Sequence, residues 1–279
     1  MKNKIIFKRE GNSFSLFFRD MKKELKSFIY WVLSMSLMIL LLVLLYPAAI
    51  EKMNNIGDIM KSMPKELIAA FGLENLTWTH VLDYLSYEFQ YILIAGCIYA
   101  GLLGAGIFSK EESNKTIQLI YSRPISRKQI FFSKVLAGIL IILVYNILLF
   151  IITAVTLDFG VLNQEIDKAV VFKIYLGQFL TQLIFLTLGI SIACLMKKAK
   201  SAPLITVAIV IFSYMLGIFS KLTESIKDLI YISPIHYFET SKLVKIGEFE
   251  FKYLMITIVF VLIGIFVSSK IYEKKDFNI

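Results

Sequence analysis

The chain has 279 residues, of which 57% are hydrophobic, with a mean hydropathy of +0.72 and a formal net charge of +9. That apolar content excludes an ordinary soluble domain and fits a polytopic membrane protein. The basic excess is explained by Lys and Arg held on the cytoplasmic face of a bilayer, beside anionic headgroups, rather than by nucleic acid.

In chain order, residues 1–26 come first, with Phe14, Phe17, Phe18, Met21 and Leu25 at helical spacing among basic residues. This pattern predicts an amphipathic helix lying on the inner leaflet. Ser27–Tyr46 is apolar and long enough for a first span, since crossing the bilayer core takes about 20 residues. It starts too late for a secretory signal, and Tyr46-Pro47-Ala48-Ala49 is a poor cleavage site. The outer loop Pro47–Glu88 is long, and Pro64 followed by Leu67, Ile68 and Phe71 predicts a short surface helix there. The second span, Phe89–Phe108, repeats Gly96, Ala100 and Gly104 every four residues, a stripe that permits close helix packing.

The loop Ser109–Lys134 is the most informative stretch. Ser109 and Glu112 have capping-box spacing, which would put Glu111 and Glu112 in the first turn of a short helix, where the dipole favours negative charge. Ile117, Ile120 and Tyr121 form one apolar face of that helix. Pro124 ends it, and Ser126 with Gln129 has capping-box spacing for the next helix. Glu112, Thr116, Pro124, Ser126, Arg127 and Lys134, at these intervals and at this place between two spans, resemble the first cytoplasmic loop of type-2 ABC exporter permeases, with Lys115 where that family usually has Gly. The family loop is a coupling helix that docks on the ATPase subunit. The resemblance therefore implies ATPase-coupling roles for Glu111, Glu112, Thr116, Ile117, Ile120, Tyr121, Pro124 and Arg127. It also implies ABC ATPase subunits as partners and a second permease subunit, identical or related. No cofactor would sit in this chain, with ATP and Mg acting through the partner ATPase.

Four further apolar runs follow: Val135–Leu157, Ile174–Met196, Ala202–Ser220 and Tyr253–Ile271. Tyr145 and Asn146 fall inside the third span, and Gln178, Thr181 and Gln182 near the start of the fourth. Such groups are interhelical glue or the lining of a polar path. Gln178 and Gln182, four apart on one face, are expected to face an interface between permease subunits. The last outer loop, 221–252, has an apolar helical face and then Ser233-Pro234, read as an interfacial or re-entrant helix that only surrounding protein makes tolerable. Twenty of the thirty Lys and Arg residues lie in the N-terminal segment, the Ser109–Lys134 loop, the Lys197–Lys200 turn and the C-terminal tail. The positive-inside rule then places both termini in the cytoplasm.

The expected fold is thus an all-α integral membrane domain with six transmembrane helices, an N-terminal amphipathic helix and a short cytoplasmic coupling helix. The expected location is a cell membrane, that of bacteria by resemblance. His80 and His236 lack clustered partners at metal-ligand spacing, so no metal site is expected. Cys97 and Cys194 lie within apolar runs and read as packing residues. No GxxxxGK[ST] loop occurs, so the chain itself should not hydrolyse ATP. The leading function is the permease subunit of an ATP-driven exporter. A secondary transporter is disfavoured because no ionisable group lies mid-span, and a non-transporting scaffold is the remaining alternative.

Overall fold

In a bilayer every backbone N–H and C=O must find its partner inside the chain, so runs of Leu, Ile, Val and Phe of this length fold as helices. The computed structural model describes residues 13–53, 64, 68, 81–114, 116, 118, 125–159, 166–222 and 224–275. Among these the chain is helical and has no strand. Its helices are α1 (Ser13–Met53), α2 (Val81–Ser113), α3 (Arg127–Phe159), α4 (Lys168–Leu195), α5 (Ala202–Ser220), α6 (Thr240–Ile246) and α7 (Phe251–Lys274). All but α6 belong to stretches long and apolar enough to cross a membrane, which gives the six expected spans.

The spans are not equivalent. α2 and α4 form the centre, and α1, α5 and α7 lie at the periphery. α1 turns a narrow stripe inward, Ile39, Val43 and Tyr46, while Leu33, Leu37, Leu41, Leu44 and Leu45 are exposed. α7 does the same with Tyr253, Thr257, Ser268 and Tyr272 inward and Leu262, Ile263 and Phe266 outward. Outward leucine costs heavily in water and nothing in hydrocarbon, so these faces belong against lipid.

The small-residue stripe of α2 meets α4. A Cβ on Gly104 would sit 2.3 Å from the Leu186 carbonyl oxygen, and one on Gly189 would sit 2.4 Å from the Gly101 carbonyl oxygen. The Gly96 position abuts the Gln182 amide in the same seam, and Ala100 is fully buried. The two helices touch backbone to backbone, which only glycine allows.

The N-terminal segment differs from its expected form. From Ser13 it is continuous with the first span in one 41-residue helix that runs through Pro47. Its buried positions are Leu16, Asp20 and Glu24, whereas Phe14, Phe18 and Leu25 are exposed. Helical spacing was read correctly, but the charged residues point inward because cations on α2 and α3 meet them there. Residues 1–12 lie outside the described residues, as does most of the loop between α1 and α2, including Leu67, Phe71 and His80. In that loop the Ile68 N–H donates to the Pro64 carbonyl at 3.2 Å, the bond expected of a helical turn.

The segment after α5 is short 3-10 turns, Glu224–Ile232 and Pro234–His236, followed by α6. Ser233, Ile235, His236 and Phe238 are buried. Only this second part is covered by protein: Ile226, Tyr231 and Ile232 in the first 3-10 turn are exposed, so that turn is not enclosed as a re-entrant stretch would be.

Candidate functional site

The residues of the Ser109–Lys134 motif surround one end of the bundle, but their local roles differ from the expected ones. The helix that begins at Val81 carries on to Ser113 without a break. Ser109 is therefore a buried residue inside α2 and not an N-cap, and Glu111 and Glu112 occupy the last turn of a helix. Negative charge there opposes the helix dipole. Tertiary packing decides the matter: α1 and α3 surround Glu111 with cations, and Lys275 at the end of α7 meets Glu112.

Glu111, 5% exposed, is the centre of that arrangement. It receives the Arg19 guanidinium at 2.6 Å, the Lys23 ammonium at 3.1 Å and the Lys134 ammonium at 2.7 Å. Lys134 is itself 2% exposed and donates a second bond to the Ile107 carbonyl at 2.7 Å. Asp20 pairs with Arg19 at 2.6 Å and lies 3.7 Å from Lys134. Beside them Lys110 spans both oxygens of Glu24 at 2.6 and 2.7 Å. Three helices are thereby joined by a knot in which nearly every buried charge has a partner, the condition under which such charges are tolerated.

The remaining motif residues finish helix ends. The Thr116 N–H donates to the Glu111 carbonyl at 2.9 Å and closes the end of α2. Glu112 binds Lys275 at 2.7 Å, and Lys275 also donates to the Ala193 carbonyl at 2.9 Å, so the end of α7 is tied to α2 and α4. Arg127 donates to the carbonyls of Glu273 and Lys275 at 3.0 and 2.9 Å, placing a cation at the C-terminus of α7. The second capping box forms: Gln129 accepts from the Ser126 N–H at 3.0 Å, and the Gln129 N–H donates to the Ser126 hydroxyl at 3.2 Å. Ile117, Ile120, Tyr121 and Pro124, the apolar face and the turn of the expected coupling helix, lie outside the described residues. What is described is the pair of roots from which that segment leaves the bundle.

The intramembrane polar residues come together elsewhere, between α2, α3 and α4. Asn146 donates to Gln182 at 2.7 Å and to the Ile142 carbonyl at 2.9 Å. Tyr145 lies against Tyr99, with ring centres 5.2 Å apart. Thr181 donates to the Gly177 carbonyl at 3.0 Å. Gln178 is 2% exposed, and Gln182 is wholly buried. An interface between subunits is therefore not where these two glutamines point: their face of α4 is covered by the chain's own helices. The seam that admits them follows from Gly96, which leaves room for the Gln182 amide.

Sequence reasoning did not single out Arg19, Asp20, Lys23 and Glu24 as partners of the motif. The available signal was Asp20 and Glu24, four apart and so on one face of the helix. The half-buried pair Lys221–Glu239, 2.7 Å apart at the far end of the bundle, was also missed. Burial raises the Glu239 carboxyl, but the charge and hydrogen bond of Lys221, together with His236 and Lys242, hold the group below the usual carboxylate range. His236 stacks on Tyr214 with ring centres 5.9 Å apart. The Ser233 hydroxyl donates to the Ser213 carbonyl at 2.6 Å, so its 3.0 Å contact with His236 Nδ1 takes the ring's N–H. Among the described residues there is no cluster of three or more potential metal ligands.

No curated protein matches the chain. A family model described as ABC-2 family transporter protein matches residues 15–277.

Proposed function

The chain belongs to the ABC-2 transporter family, a family of ABC-transporter permease subunits, and we propose that it is the membrane half of an ATP-driven exporter whose motor is a separate ABC ATPase. Membrane subunits of this family generally work with ATPase partners. The docking element in this reading is the segment 115–124. The observation that supports it is how that segment is rooted. Upstream it leaves α2 beside Glu111, where α1, α2 and α3 are locked by buried ion pairs. Downstream it enters α3 through the Ser126–Gln129 capping box and the Arg127 tie to α7. A push on a segment so held reaches the spans with little slack, because packed interiors and buried pairs do not deform gradually. Two such subunits, identical or related, would surround a path, and both termini would lie on the ATPase side in the cytoplasm, as the basic residues gathered at that end favour.

The test is capture of the ATPase subunit by the full chain, with ATP-dependent transport measured in parallel. Ile120→Asp puts a carboxyl group on the expected docking face, where burial without a partner costs about 2–7 kcal/mol for a neutral polar group and far more for a carboxylate that stays ionised. The expected result is loss of ATPase capture and of transport, with the six helices still inserted. Capture and transport at wild-type level in this variant would remove the docking role from the segment.

A further inference from the structure

The cleft between the C-terminal ends of α4 and α7 has a volume of 790 Å³ and combines two chemistries. Its rim carries Lys197, Lys270 and Lys274, and its walls include Leu195, Phe266 and Ile271. All three lysines are exposed, and none of them pairs with a carboxylate among the described residues. A second cleft of 570 Å³ continues along α7 past Val267 to Ile263 and Met255. Its lining is almost wholly apolar, with Ser191 the one polar side chain. From Val267 to Met255 the helix rises about 18 Å. The two clefts share Val267, so an apolar groove open to the side runs along α7 from Met255, near the start of the helix, to a cluster of lysines at its end.

We propose that this groove binds an anionic phospholipid, with its phosphate at Lys197, Lys270 and Lys274 and an acyl chain laid along α7. Charge complementarity selects this occupant. The C-terminal carbonyls that would repel a phosphate are already met by Arg127 on α7 and by Lys275 on Ala193, which leaves the rim lysines to face the headgroup. A second copy of the chain is a poor fit. Among the described residues at this end, the carboxylates of Asp20, Glu24, Glu111 and Glu112 are buried or bound within the chain, and Glu273 has one oxygen buried without a partner, so the rim lysines of a copy would meet lysine rather than a free carboxylate of the described residues. Lysine near an anionic interface favours binding, and an open apolar groove in a bilayer fills with lipid chain. The bound headgroup lies next to the Glu112–Lys275 tie, at the root of the coupling segment.

The experiment is native mass spectrometry of the full chain in detergent, titrated with phosphatidylglycerol and with phosphatidylcholine of the same acyl chains. Phosphatidylglycerol is expected to be retained about tenfold or more over phosphatidylcholine. The triple variant Lys197→Gln, Lys270→Gln, Lys274→Gln should lose that preference. A control triple at the same end, Lys22→Gln, Lys26→Gln, Lys128→Gln, should keep it. Val267→Trp, which fills the groove from an exposed position, should weaken retention while leaving the rim charge intact, and soluble glycerol phosphate should not compete. Equal retention of the two lipids, or equal loss in both triple variants, overturns the site. Competition by glycerol phosphate assigns it to a free anion instead. Efficient disulfide crosslinking of Ile263→Cys between two copies in the membrane assigns the groove to a subunit interface and also overturns the proposal.

Discussion

Lys134 shows how much one residue carries. It sits 2% exposed between Glu111 and Asp20, at the junction of three helices. Lys134→Met leaves Glu111 with only the partly exposed Arg19 and Lys23, and Asp20 with less. Breaking a buried pair from one side costs roughly 3–5 kcal/mol. A thermal melt of the detergent-solubilised protein should show that loss, and the added change Glu111→Gln should restore part of it. A double variant no better than Lys134→Met would mean that the lysine acts by packing alone. His236 at the other end gives a pH dependence. Burial pushes its imidazole from 6.5 down to about 4, Lys221 adds to the shift, Glu239 opposes it and Lys242 adds again. Between those two values the unfolded chain binds a proton that the folded chain refuses, so stability falls as pH drops from 6.5 and levels off below about 4. The full effect is on the order of 3 kcal/mol. Melts between pH 7 and pH 4 should show it, and His236→Phe should flatten the curve in that window.

At the scale of elements, the α2–α4 seam is the most demanding contact. Gly104→Ala drives a methyl into the Leu186 backbone, 2.3 Å from its carbonyl oxygen, and backbone there cannot step aside. Overpacking of this kind costs about 1–3 kcal/mol. Gly106→Ala on the same helix meets only the flexible Lys110 side chain at 3.3 Å. It should be neutral or stabilising, since alanine is the better helix former by up to about 1 kcal/mol. Melting temperatures of the two variants, compared side by side, check the seam: similar values would show that α2 and α4 part without penalty. The stripe Gly96, Ala100 and Gly104 was legible from its four-residue interval. Its partner was not, because a stripe records that something comes close without recording what.

For the whole molecule the prediction is topological. The charged ends of α1, α2, α3 and α7 are joined by Arg19, Lys134 and Lys275 to Glu111 and Glu112, so these four ends lie on one side of any bilayer the protein crosses. Both native cysteines are buried, which gives a quiet background for labelling. A cysteine introduced at Ser122 should be blocked by a membrane-permeant reagent and untouched by an impermeant one applied to intact cells. Labelling from outside would invert the arrangement and with it the ATPase side. In the proposed reading, the same joining of ends would carry a push on the segment between α2 and α3 to the whole bundle.

Composition, run length and the interval between charges were enough for six helices, their order and the grouping of basic ends, because the bilayer admits few solutions for an apolar chain. The Ser126–Gln129 capping box was legible for a similar reason: it is local, and its partners are three residues apart. The Ser109–Glu112 pair had the same spacing and formed no cap, since cations from α1, α3 and the end of α7 let α2 run on through Glu111 and Glu112. The inward turn of Asp20 and Glu24 and the enclosure of Gln178 and Gln182 were likewise decided only by tertiary structure. A side chain's local pattern fixes which face of a helix it lies on. Which face is buried depends on the charges and the gaps that distant helices bring to meet it.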